Sequence, residues 1–188
     1  MLALIQQSLA SPREGAARLL ALGLPTRVAI EALMIVAALG GLALGLLTGG
    51  GLEVPGEAGT MTLSPIGYAV ALFVTLVLSG LALTGAGRIL GGHGTLPGAF
   101  LLMAWLQAID LALQVGTVLV AILVPPLAVV AAIARVAAVL WCLMGFVGAL
   151  HGLGPGRSLG TILLGGLGLG LALALLLGLS GMGVTLDV

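Results

Sequence analysis

The chain has 188 residues, 61% of them hydrophobic and only 6% charged, with zero formal net charge and a mean hydropathy of +1.34. A soluble domain carries about 25% charged residues, so this composition leaves too little polar surface for a water-exposed globule. There is no lysine and acids balance bases, which excludes a basic nucleic-acid patch, and the lone Cys142 inside an apolar run excludes a disulfide framework or a cysteine metal site.

The opening MLALIQQSLASP lacks a positive n-region, and its apolar run is too short for a signal h-region. Entry into the membrane is therefore expected through the first spanning helix. Residues 1–24 are amphipathic: Leu2, Ile5, Leu9, Ala16, Leu19 and Leu20 recur at helical spacing, with Gln6, Gln7, Arg13, Glu14 and Arg18 elsewhere. Ser11-Pro12-Arg13-Glu14 has the form of a capping box with proline at the first helical position. Gly23 and Pro25 then close the helix. Two short helices lying in the cytoplasmic interface with apolar sides down are predicted, with a packed cap on the bundle as the alternative.

Residues 25–188 read as an all-α, polytopic membrane helix bundle with spans at about 27–47, 65–87, 100–124, 126–150 and 159–178. In the first, Arg27 and Glu31 stand four apart, and Gly41, Gly45 and Gly49 permit close helix contact. Residues 48–64 read as a glycine-rich loop with Glu53, Pro55 and Glu57. The second span holds only weakly polar residues, Thr75, Ser79 and Thr84, and ends in the polar turn GRILGGHGTLPG. The third and fourth spans fold back on each other at Pro125-Pro126. HGLGPGRS leads into the fifth, where Gly166 and Gly170 are expected to mark a close-packing face.

Arginine placement orients the bundle. Arg13, Arg18, Arg27, Arg88 and Arg157 all fall on one side, whereas Glu53, Glu57, the proline turn and Asp187 fall on the other. The positive-inside rule then puts the N-terminus in the cytoplasm and the C-terminus outside.

Each helix of the hairpin carries one charge among apolar residues. Asp110 lies about 15 Å beyond Phe100 and Arg135 about 14 Å beyond Pro126. Both charges thus fall near the middle of a hydrocarbon layer about 30 Å thick. Gln107, Asp110 and Gln114 form a polar stripe that must face other helices or a wet cavity. One functional meaning is an ion, proton or substrate path. The structural meaning is an ion pair with glutamines bonding across helices, which weighs more because one acid and one base cancel each other. Glu31, Arg88, His93, His151 and Arg157 are the candidate cytoplasmic contacts, with Glu31 linked to Arg27 or Arg88. The segment GAGRILGGHG superficially resembles a phosphate loop, but no strand precedes it and no GK[ST] follows. No nucleophile–base set, HExxH or CxxC appears, so no catalytic, cofactor or metal site is expected.

SPREGAARLL, GRILGGHG, AWLQ with Gln114, VPPLA and FVGALHGL follow one another in an order and spacing that resemble bacterial members of the Yip1 family. The resemblance covers nearly the whole chain. It implies a five-span protein with a cytoplasmic N-terminus in the bacterial inner membrane, and it brings no catalytic residue. Gln107, Gln114, Arg88 and His151 fall within the shared segments, whereas Asp110 and Arg135 do not match a family motif. The DLYGP-like and GY-containing segments of the eukaryotic branch are not evident, so partnership with Rab GTPases is not implied. The expected function is a structural or adaptor role in the lipid bilayer, with a protein partner at the cytoplasmic face and self-association both open. The alternative is a small transporter or channel using Gln107, Asp110, Gln114 and Arg135.

Overall fold

The computed structural model describes residues 2–56 and 59–179, so Glu57, Asp187 and the placement of the C-terminus lie outside the described residues. Two short helices, α1 (Leu2–Ala10) and α2 (Pro12–Leu20), precede the long α3 (Thr26–Thr48). A two-stranded hairpin follows, β1 (Leu52–Gly56) and β2 (Gly59–Leu63). Then come α4 (Pro65–Ile89), α5 (Leu96–Leu123), a 3-10 turn at Pro125–Leu127, α6 (Ala128–His151) and α7 (Pro155–Leu179). Helices α3 to α7 are each long and apolar enough to cross a membrane, with mean hydropathies of 1.9 to 2.4.

Local chemistry sets the helix ends. Ser64 accepts a hydrogen bond from the Gly67 amide at 3.1 Å, and Pro65 starts α4. Thr95 caps α5 in the same way at 3.4 Å, with Pro97 in the first turn, so that helix begins at Leu96, ahead of the Phe100 expected from hydropathy. The predicted capping box at Ser11 is absent. Its side chain makes no cap bond, because Ser11 sits at φ −138°, ψ 75° and donates its own amide to Gln7 of α1. That bond holds it in the elbow between the two helices, outside the extended geometry of a capping serine. The stretch expected as a glycine-rich loop contains the β-hairpin, in antiparallel register Leu52↔Leu63 to Gly56↔Gly59. Val54, Thr60 and Thr62 supply strand-forming residues that the glycines obscure.

Helix α4 touches α3, α5 and α7, while α5 touches α3, α4 and α6. Lipid tails are as apolar as leucine, so these contacts rest on close packing rather than on water exclusion. Glycine makes the approach possible. A Cβ on Gly80 would strike the Phe100 ring, and one on Gly41 the Pro65 carbonyl. The pair Gly166 and Gly170 does not form the expected face, since a Cβ added at either would meet no other part of the described structure within 4 Å. The side of α7 that meets α4 is rotated by one residue, so that Gly165 lies against Leu83.

The core sits at one end of the bundle, around Leu33, Phe100, Ile109, Phe146 and Val147. No residue from Asp110 to Trp141 is buried. Helices α1 and α2 close the packed end as a cap. Ser8 is wholly buried, accepting the Trp105 indole N–H at 3.0 Å, while Cys142 donates to its carbonyl at 3.5 Å and Trp141 to that of Leu9 at 3.2 Å. Pro12 rests on Gly145. Gly145→Val should therefore push α2 off α6 and destabilise the protein by about 1–3 kcal/mol, the usual range for overpacking. Faster limited proteolysis at residues 21–25 would register the loosened cap; an unchanged rate would show that α2 is not held there.

Candidate functional site

Alternation of the helices brings the start of α3, the end of α4, the start of α5, the end of α6 and the start of α7 to the capped end. Arg13, Arg18, Arg27, Arg88 and Arg157 are exposed at it. Arg18 donates to Gln7 at 2.7 Å, and Arg27 pairs with Glu31 at 2.9 Å. Glu31 thus takes Arg27 as its partner and not Arg88. The link is one helical turn long and exposed, 89% and 46% for the two side chains, and belongs to the class worth a few tenths of a kcal/mol. Arg13, Arg88 and Arg157 make no side-chain hydrogen bond or ion pair among the described residues. His93 is exposed beside them. At the opposite end, Glu53 is the one charged group among the described residues.

His151 is not a surface contact. It is the last residue of α6, 2% exposed, and the turn between α4 and α5 wraps around its ring. Gly94 donates its amide to Nδ1 at 3.1 Å, and His93 donates its amide to the His151 carbonyl at 3.3 Å. With Nδ1 accepting, the neutral ring carries its proton on Nε2. That buried atom has no hydrogen-bond partner among the described residues. The glycines of GAGRILGGHG now have a reason. A Cβ on Gly87, Gly92 or Gly94 would fall on the imidazole. Gly91 adopts φ +84° while the Gly92 amide reaches back to the Gly87 carbonyl at 2.8 Å, a Schellman close to α4. The phosphate-loop likeness is therefore a ring cradle. Gly152, at φ +68°, closes α6 likewise, with the Leu153 amide on the Gly148 carbonyl at 3.2 Å.

The second cluster lies on the α5–α6 hairpin, within the stretch that holds no buried residue. Arg135 donates from Nε and Nη2 to the two oxygens of Asp110, each at 2.7 Å, and from Nη2 to Gln114 Oε1 at 3.4 Å. This bidentate fork is the strongest geometry open to the two groups. Gln107 lines the same groove, of about 430 Å³, without a side-chain hydrogen bond among the described residues. The hydroxyls of α4 add nothing to a path. Thr75, Ser79 and Thr84 each donate to the carbonyl one turn back, at 2.7–2.8 Å.

Sequence reasoning missed Ser8, the joint of the cap, because a serine within an amphipathic segment reads as solvent-facing. Its signal was Trp105, set inside an apolar helix with an indole N–H that needs an acceptor there.

Apolar helices of this length, joined by short turns, define a multi-pass membrane protein. The model of the Yip1 domain matches residues 7–179, and the chain belongs to the Yip1 family. No curated protein and no solved structure matches it.

Asp110→Ala should destabilise the protein by about 3–5 kcal/mol, since it strands a guanidinium in an apolar layer. The double variant Asp110→Ala with Arg135→Ala should lose much less, as read by thermal unfolding in detergent. Equal loss in the single and double variants would count against direct pairing. At the cradle, Gly87→Ala should cost about 1–3 kcal/mol through overpacking. Gly85→Ala, where nothing lies within 4 Å, should be neutral or stabilising.

Proposed function

We propose that this protein is a structural adaptor of the bacterial inner membrane that works through its arginine-bearing end. The observation that carries the reading is the concentration of Arg13, Arg88 and Arg157, exposed and without internal partners among the described residues, on an end made rigid by the His151 cradle and the α1–α2 cap. A rigid, preorganised surface loses less freedom on binding than a mobile loop. Arginine asymmetry supports a cytoplasmic placement of that end, hence a cytoplasmic N-terminus and a periplasmic C-terminus. On this reading the surface holds a protein partner bearing carboxylates, next to anionic headgroups that favour the same charges. We assign it no enzymatic activity, on the sequence ground that no nucleophile and base stand together. The fork between Asp110 and Arg135 supports a structural use of the polar stripe over transport, because both carboxylate oxygens are engaged.

Photo-crosslinkers placed at residues 88 and 157, in native membranes, should capture the same partner. Replacing Arg13 with Gln should lower the yield from both by about fivefold, the equivalent of about 1 kcal/mol per contact. Crosslinks only to lipid, or only to a second copy of the chain, would sink the adaptor reading.

A further inference from the structure

Midway along α5 and α6 the chain carries more hydrogen-bonding capacity than it uses. Arg135 engages Nε and Nη2, but its Nη1 makes no hydrogen bond among the described residues. The Gln107 amide and the Gln114 amide nitrogen also have no partner among the described residues. The groove that Gln107, Asp110 and Arg135 line is open, with the Arg135 and Asp110 side chains 27% and 22% exposed. Asp110 is near the centre of α5 (Leu96–Leu123), about 20 Å from either end at 1.5 Å per residue. Headgroups lie beyond a half-layer of about 15 Å, and hydrocarbon offers neither donors nor acceptors. An unmet amide or guanidinium there is costly, so the groove requires a polar cover.

We propose that the cover is a second copy of this chain, packed about a two-fold axis along the α5–α6 groove. Gln107 and the free edge of each Arg135 then meet the carboxylate and amide oxygens of the opposite copy. Three observations select this occupant. The cluster is electrically neutral and holds spare donors and acceptors together, so it complements itself, as an isologous interface requires. The α6 wall offers one point of close approach, at Ala132 beside Arg135. The hairpin is also thinly covered by protein, with Leu113 and Val139 packed only partly buried against the core. No residue from Asp110 to Trp141 is buried, and α6 buries 6% of its most apolar stretch against 28% for α3. This interface lies at bilayer depth, away from the arginine-bearing end, and holds whether or not that end binds a partner.

The test uses the full chain in native membranes with Cys142→Ser, which keeps a donor for the Ser8 carbonyl. Ala132→Cys and Val136→Cys, each treated with a short bis-maleimide, should give a covalent dimer at one position or both. Leu163→Cys on α7, 66% exposed, should give none above background. Adding Gln107→Leu should reduce the dimer several-fold while leaving the amount of folded protein unchanged. Dimer at neither groove position, or equal dimer at position 163, overturns the proposal. A second readout separates a copy from water: Ala132→Cys, with no crosslinker present, should resist a membrane-impermeant maleimide that labels Arg88→Cys in opened vesicles. Equal labelling at both positions would put water in the groove and overturn the proposal as well.

Discussion

The Arg135 guanidinium facing both oxygens of Asp110 shows the constraint under which the whole chain is built. In a hydrocarbon layer nothing outside the protein offers a hydrogen bond, so each polar group needs a partner inside it. The chain meets this in three ways. Thr75, Ser79 and Thr84 turn their hydroxyls back onto their own helix. Ser8 and the Trp105 indole satisfy each other across the cap joint. Asp110 and Arg135, which have no local solution, bind each other across the hairpin and link two half-helices that no core embraces. Exchanging such a pair for apolar residues is often neutral, whereas losing one partner is not, so the fork secures which helix faces which more than it adds stability.

The distribution of packing gives the bundle a direction. Without a hydrophobic force between helices, affinity must come from fit, and fit is concentrated at the arginine-bearing end. There Phe100 lies on Gly80, Pro12 on Gly145 and the His151 ring on three glycines. The arginines therefore stand on a well-packed base. Beyond Asp110 the packing thins: no residue as far as Trp141 is buried, and Leu113 and Val139 reach the core only in part. Membership of the Yip1 family covers both halves, since the match runs from residue 7 to residue 179.

Ring and glycines form one device drawn from distant segments. The GGHG stretch looks like a flexible turn in isolation, because glycine is the usual residue of mobile loops. In the fold Gly92 and Gly94 are buried, and each is small because an imidazole occupies the space. The same residue type has opposite meanings at Gly94 and at Gly85, and only the neighbouring helix distinguishes them.

That difference marks how far the chain could be read before it was folded. The long helices were legible because hydropathy is a running sum over some twenty neighbours set by the thickness of the layer. The meeting of Asp110 and Arg135 at one height of the hairpin was legible for the same reason, since rise per residue converts position into height. Proline at the helix starts and glycine at their ends act within a turn, and these too could be read. The β-hairpin at 52–63, the unformed box at Ser11, the rotated face of α7 and the burial of His151 could not. Each depends on which side of a helix meets which neighbour, and that is settled by contacts between residues as far apart as Ser8 and Cys142, 134 positions along the chain. Helical periodicity gives every apolar helix in this bundle several equivalent faces, and only mutual packing chooses among them.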